Sequence, residues 1–410
     1  EIRSLEGAIL IFSLVFYPYV YVLARTAFLE RSGVLLEAAR VLGYSPKAAF
    51  LKVALPLARP AVAGGVALVV MESLAEFGAV SYFGVPTFTT GIYRAWYSFG
   101  DPVAASQLAA SLLGVVALAL MLEKASRGRA RFDDSGGRPT QRPRLKGAKA
   151  LAALAACALP LVGGFLLPGA LLLNMAMADG DTEFGIKYVD LATNSLILAT
   201  SASLMAVTVA LLLAYAGRAK PGRLMSAVKR VASLGYAVPG TVIAVGALIP
   251  LTALDHAIIA WAREYWGANL GLVITGSALA LIFAYVARFL AVALNAVESS
   301  LARIRPSLDE AARSLGTGRA GLMFRVHVPL LSGGLISGLL LVFVDVMKEL
   351  PATIVLRPFN FETLATQVYI LAADERLTEA ATPSLIIVAV GLIPVVMLSR
   401  SLRGGHGSSH

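Results

Sequence analysis

Glu37-Ala38-Ala39-Arg40-Val41-Leu42-Gly43 reappears as Glu310-Ala311-Ala312-Arg313-Ser314-Leu315-Gly316, 273 residues further on. The register persists through Val53/Val326, Pro56/Pro329 and Leu57/Leu330, so that 9 of the 21 positions from Glu37 to Leu57 are identical without a gap. Identity of that density marks an internal duplication. Each copy carries the punctuation of a helix-turn-helix. Gly43 stands where a left-handed C-terminal cap is required. Ser45 then offers a side-chain cap, with Pro46 at the first helical position, where a missing N–H does no harm. Pro56 is expected to end that helix and open the next apolar stretch. In the second copy Gly316 and Thr317 take the cap roles and Pro329 the terminating role.

The flanks of both copies are apolar. The 410 residues are 58% hydrophobic and 15% charged, and the apolar residues gather in runs of about 20, the length of a helix that crosses a bilayer. Nine such runs are marked, at about 7–24, 60–80, 104–122, 150–173, 191–216, 231–252, 270–294, 329–350 and 384–399. The chain therefore reads as an all-α polytopic membrane protein. A polar stretch rich in Arg, Gly and Pro divides it into a first half, 1–122, a linker, 123–149, and a second half, 150–403. Residues 404–410, Gly-Gly-His-Gly-Ser-Ser-His, read as an expression remnant and are set apart. Three spans precede 270–294 in the second half and none precedes its counterpart in the first, so the first half is expected to be incomplete in this chain.

Charge fixes the orientation. Segments 25–59, 123–149, 217–230, 298–327 and 400–403 hold 27 Lys/Arg and 8 Asp/Glu. The intervening segments 81–103, 174–190, 253–268 and 351–382 hold 5 Lys/Arg and 11 Asp/Glu. Strict alternation of spans puts every segment of the first set on one side, and positive loops stay cytoplasmic. The net charge of +10 is thereby explained without nucleic acid. Tyr93, Trp96, Tyr97, Trp261, Tyr265 and Trp266 fall on the outer side, as an interfacial aromatic belt would. The single cysteine, Cys157, excludes an internal disulfide, and no metal site is visible in the sequence.

Both duplicated motifs lie on the cytoplasmic side. Their paired alanines, Ala38-Ala39 and Ala311-Ala312, leave a smooth surface that another protein can approach closely. A plain solvated connector would leave the repeated turn chemistry unexplained. Glu-Ala-Ala with Gly three residues after the Arg resembles the cytoplasmic signature of binding-protein-dependent ABC importer permeases of the type I fold. That resemblance covers both halves. It implies two homologous helix bundles related by pseudo-two-fold symmetry, in a bacterial or archaeal inner membrane. It also implies that Glu37, Ala38, Ala39, Gly43, Glu310, Ala311, Ala312 and Gly316 form the loops that dock two copies of a cytosolic ATPase, and that an external binding protein delivers substrate. No G-x-x-x-x-G-K-[ST] loop is present, so ATP and Mg2+ belong to the partner and this chain carries no cofactor.

The stretches Glu76–Trp96 and Lys348–Thr366 resemble the fused permeases of ferric-iron importers. Related permeases carry thiamine, polyamines, phosphonates, sulfate or molybdate. Six charges lie in or at the ends of spans: Glu72, Glu76, Arg288, Asp345, Lys348 and Glu349. The 273-residue offset maps Glu72 on Asp345 and Glu76 on Glu349. Each pair is spaced i, i+4, which puts both carboxylates on one helix face. An acid at mid-membrane costs about 2.5–3.5 kcal/mol, so these four are expected to line a cation path or to be paired. Glu72 and Glu76 fall about 18 and 24 Å along a helix entering at Pro60, in the outer half of the bilayer. Lys348 is a candidate partner for Asp345 or Glu349. Arg288 is expected to snorkel to the cytoplasmic surface. A secondary transporter would also place acids at the midplane. An intramembrane enzyme would need a buried nucleophile and base or a metal set, which the sequence does not show.

Overall fold

The computed structural model describes residues 2–31, 33–127, 145–178, 186–220 and 222–404. Most of the expected linker, the middle of the outer segment 174–190 and residues 405–410 lie outside the described residues. The chain is helical, with no strand among the described residues.

In chain order the helices are α1 Leu5–Arg31, α2 Gly33–Val41, α3 Pro46–Ala75, α4 Gly78–Tyr82, α5 Phe88–Tyr93, α6 Pro102–Arg127, α7 Ala148–Ala178, α8 Ile186–Ala219, α9 Arg223–Leu234 and α10 Gly240–Trp266. They continue as α11 Ala278–Leu301, α12 Pro306–Ser314, α13 Leu322–Leu330, α14 Ser332–Met347, α15 Pro351–Leu356, α16 Leu364–Ala373 and α17 Leu377–Gly404. Eight helices are long and apolar enough to cross a membrane, and α13 with α14, bent by 70°, makes a ninth, broken span. The nine expected runs each find a helix. The duplication is visible in the element starts: α11 begins 278 − 5 = 273 residues after α1, and α15 begins 351 − 78 = 273 after α4.

Three boundaries differ from expectation. The span expected at 231–252 is displaced to Gly240–Trp266, because Pro239 separates it from α9. α9 is a polar-faced helix with no buried residue. His256 and the three outer aromatics are therefore on a helix, which Gly267 closes in the left-handed conformation. Second, Pro56 does not end a helix. A π-helical turn over Phe50–Ala54 leads into it and the helix runs on to Ala75. Such turns insert one residue into the hydrogen-bond ladder, which leaves room for a residue without an N–H. Third, α3 stops at Ala75 and α14 at Met347. Glu76 is already extended, with ψ 137°. Glu76 and Glu349 therefore do not share a helix face with Glu72 and Asp345.

The chain divides into two compact units. The first comprises residues 1–91 and 110–171, the second residues 92–109 and 172–410. In the first, α1 packs on α3, and α7 lies on α1 through Gly164. A Cβ at Gly164 would sit 2.4 Å from the Leu14 carbonyl oxygen, so only glycine permits that approach. In the second, α8 packs on α11 and α14. Ala202, Ala206, Ala210 and Ala214 recur every fourth residue on α8 and are fully buried. Lipid supplies no hydrophobic drive between helices, so small residues that admit close backbone packing hold such a bundle.

Candidate functional site

The two duplicated turns have one geometry. Gly43 has φ +84° and Gly316 φ +79°. In the first copy Gly43 N donates to Arg40 O and Tyr44 N to Ala39 O, both at 3.0 Å. In the second, Gly316 N donates to Arg313 O at 2.9 Å and Thr317 N to Ala312 O at 3.0 Å. Both are Schellman caps, whose paired bonds require a left-handed residue at the glycine. Ser45 caps the next helix as expected, its Oγ accepting from Ala48 N at 3.3 Å. Thr317 instead closes the Schellman turn with its backbone N–H, and the following π-helical segment is entered past Gly318. Pro329 likewise does not stop its helix, which continues to Leu330 and breaks at Leu331.

Each turn offers a similar surface. Glu37 and Glu310 are exposed, as are Ala38 and Ala311. Leu42 and Leu315, equivalent by the offset, are 77% and 85% exposed. Ala39 is buried beneath its turn. An exposed acid beside an exposed leucine on a short, rigidly capped helix gives a partner both a charge and an apolar knob.

Beneath the second turn lies a polar cluster that the sequence alone did not reveal. Arg218, at the end of α8, donates from Nε to Asp309 Oδ2 at 2.7 Å and from Nη2 to Oδ1 at 3.2 Å. Its remaining donors reach Leu301 O and Ile304 O at 3.0 Å each. His327 Nε2 lies 2.9 Å from Asp309 Oδ1. Burial raises the Asp309 carboxyl, but hydrogen bonds and charge from Arg218 and His327 outweigh it and hold the group below its ordinary range. The available signal was the departure of the second copy from the first, where Leu36 and Ala54 stand in place of Asp309 and His327.

The intramembrane charges separate into two kinds. Glu349, 5% exposed, pairs with Arg288, whose Nη1 is 2.8 Å from Oε1. It also accepts from Ala352 N at 3.1 Å and Thr353 N at 3.2 Å, capping α15. Tyr285 Oη and Thr353 Oγ1 are 2.6 Å apart and extend the network. Arg288 therefore does not snorkel, because a buried carboxylate one helix away holds it. Gly240 makes room for the pair: a Cβ there would lie 2.2 Å from Arg288 Nη1. Glu76 plays the same capping part in the first unit, Oε1 accepting from Ala79 N at 2.9 Å. At the position of Arg288 the first unit has Val15. Asp345 pairs with Lys348 at 3.0 Å. Glu72 lies in the last turn of α3.

Asp255, within α10, is fully buried and accepts from Val273 N, Ile274 N and Thr275 N at 2.7–2.9 Å, pinning the loop before α11. Tyr97, half exposed, donates to Ile354 O at 2.8 Å within the second unit. Trp261, Tyr265 and Trp266 are 49–69% exposed at the end of α10, as belt residues are. Among the described residues no three His, Cys, Asp or Glu side chains gather as a metal would need.

The chain is similar to known proteins over most of its length. It is 27% identical over 407 residues to the Fe(3+)-transport system permease protein FbpB 2 of Haemophilus influenzae, covering 96% of this chain and 76% of that one. It is 28% identical over 239 residues to the "Probable molybdenum ABC transporter permease protein" of Haloferax volcanii, covering 57% of this chain and 84% of that one. A solved bacterial alginate ABC transporter, in complex with a pentasaccharide-bound periplasmic protein, aligns over 64% of this chain with 14% identity and a TM-score of 0.47. The family described as "Binding-protein-dependent transport system inner membrane component" matches residues 4–123 and 206–404, which include both glycine-capped turns. This chain belongs to that family and is a multi-pass permease subunit of an ABC importer.

Proposed function

We propose that this permease admits ferric iron, received from an external binding protein and driven inward by two ATPase copies docked on Glu37–Gly43 and Glu310–Gly316. The observation that carries the substrate is the extent of similarity to the Fe(3+) permease, 96% of this chain. The molybdenum relative matches 57% of it. The paired Schellman turns with their exposed acid and leucine support two equivalent docking surfaces.

Geometry refines the proposed cation path. Glu76 and Glu349 are engaged as helix caps. Glu72 and Asp345, one turn earlier on their spans, are the carboxylates we assign to attracting a cation, each within its own unit. Lys348 lowers the net charge beside Asp345, which favours release over trapping.

The experiment is radiolabelled Fe(III) uptake in cells lacking their own iron importer, with unlabelled molybdate as competitor. Uptake that depends on this chain and resists molybdate is expected. Molybdate transport without iron uptake would overturn the substrate. Glu72→Gln with Asp345→Asn should lower iron uptake while the complex still assembles and hydrolyses ATP. Unchanged uptake would remove these acids from the path.

A further inference from the structure

The two docking turns are alike at the surface but unlike underneath. In the second unit, Asp309 lies on the docking helix α12, immediately before Glu310. His327 closes the π-helical turn of α13. Leu331 N donates to His327 O at 2.8 Å across the break where α13 and α14 bend by 70°. Arg218 anchors the same carboxylate to the ends of α8 and α11. His327 is 1% exposed, and its Nδ1 is buried with no hydrogen-bond partner among the described residues. Among the described residues its side chain therefore hydrogen-bonds only to Asp309. In the first unit Leu36 and Ala54 occupy the equivalent positions, and neither side chain can hydrogen-bond. There α3 runs as one helix of 30 residues with no bend of that size.

We infer that Asp309 and His327, braced by Arg218, form a link that transmits movement of the second docking helix to the hinge at Leu331. With Leu36 and Ala54 at the equivalent positions, the first docking helix lacks this pair, so the two ATPase contacts do unequal work on the membrane spans. Asp309 and His327 are positioning residues: they hold α12 to α13, so that displacement of α12 alters the bend between α13 and α14. A bidentate arginine-carboxylate contact suits this purpose because it fixes orientation as well as distance. This inference rests on the docking role proposed above.

The test uses the full chain assembled with its ATPase in proteoliposomes. Spin labels at Ser307, on the docking helix, and Ile336, on α14, report their separation with and without ATP-vanadate. In the unsubstituted chain the separation should change on trapping. His327→Leu should lose that change while ATPase still co-purifies and hydrolyses ATP, and His327→Gln, which keeps a donor facing Asp309, should restore it. If His327→Leu does not assemble, Asp309→Asn is read in the same way. A full change in the leucine variant would overturn the link. So would no change in the unsubstituted chain, or failure of both variants to assemble, which would make the cluster structural only. Failure of the docking role itself is seen separately, as absence of ATPase from the purified unsubstituted chain.

Discussion

At the residue scale, Glu349 is buried against Arg288, at whose place the first unit has Val15. Removing one partner of a buried ion pair costs about 3–5 kcal/mol because the other charge is left uncompensated. Glu349→Gln should therefore lower the thermal unfolding midpoint of the detergent-solubilised protein, and adding Arg288→Leu to it should recover part of the loss. A double variant less stable than Glu349→Gln alone would show that Arg288 finds another partner. The sequence made the carboxylates legible, because an acid in an apolar run is conspicuous. Of their partners only Lys348, three residues after Asp345, was legible: Arg288 lies 61 residues before Glu349 and Arg218 lies 91 before Asp309, and only tertiary packing brings these together. His327 and Asp309 are 18 residues apart and on different helices, so their contact leaves no local mark in the sequence.

At the element scale, the turns were the most legible part. A glycine at the end of each repeated helix demanded a left-handed cap, and both adopt it. A β-branched residue there is strained by about 1–2 kcal/mol. Gly43→Val with Gly316→Val should therefore abolish co-purification of the ATPase while the membrane helices stay folded by circular dichroism. Retention of the ATPase with normal transport would remove the docking role. Proline was read less well. Pro56 and Pro329 were expected to terminate helices, and each is preceded by a π-helical turn, over Phe50–Ala54 and Leu322–His327; the first helix continues to Ala75, whereas the second ends at Leu330, one residue past its proline. Such a turn has no compositional signal. What the offset does show is that both copies use it at the same place, so it belongs to the duplicated design.

At the scale of the whole molecule, the alternation of loop charge makes a topological prediction. A single cysteine at Ser226 should react only with reagents that reach the cytosol, and one at Thr378 only from outside, in a chain with Cys157 replaced. Reversal at either site would break the alternation. The linear division at 123–149 does not anticipate the compact units, because contacts and not chain order decide membership. Gly164 seats α7 on Leu14, and Tyr97 reaches Ile354, so residues 92–109 join the second unit and most of α7 the first. We propose a membrane path worked from two glycine-capped turns by a partner that hydrolyses ATP. The most direct test is Fe(III) uptake into proteoliposomes holding this chain, its ATPase and its binding protein, with ATP supplied on the cytoplasmic side. Uptake should require ATP hydrolysis and be lost in the Gly43→Val, Gly316→Val double variant. Uptake driven by an ion gradient without ATP, unaffected by that variant, would contradict it.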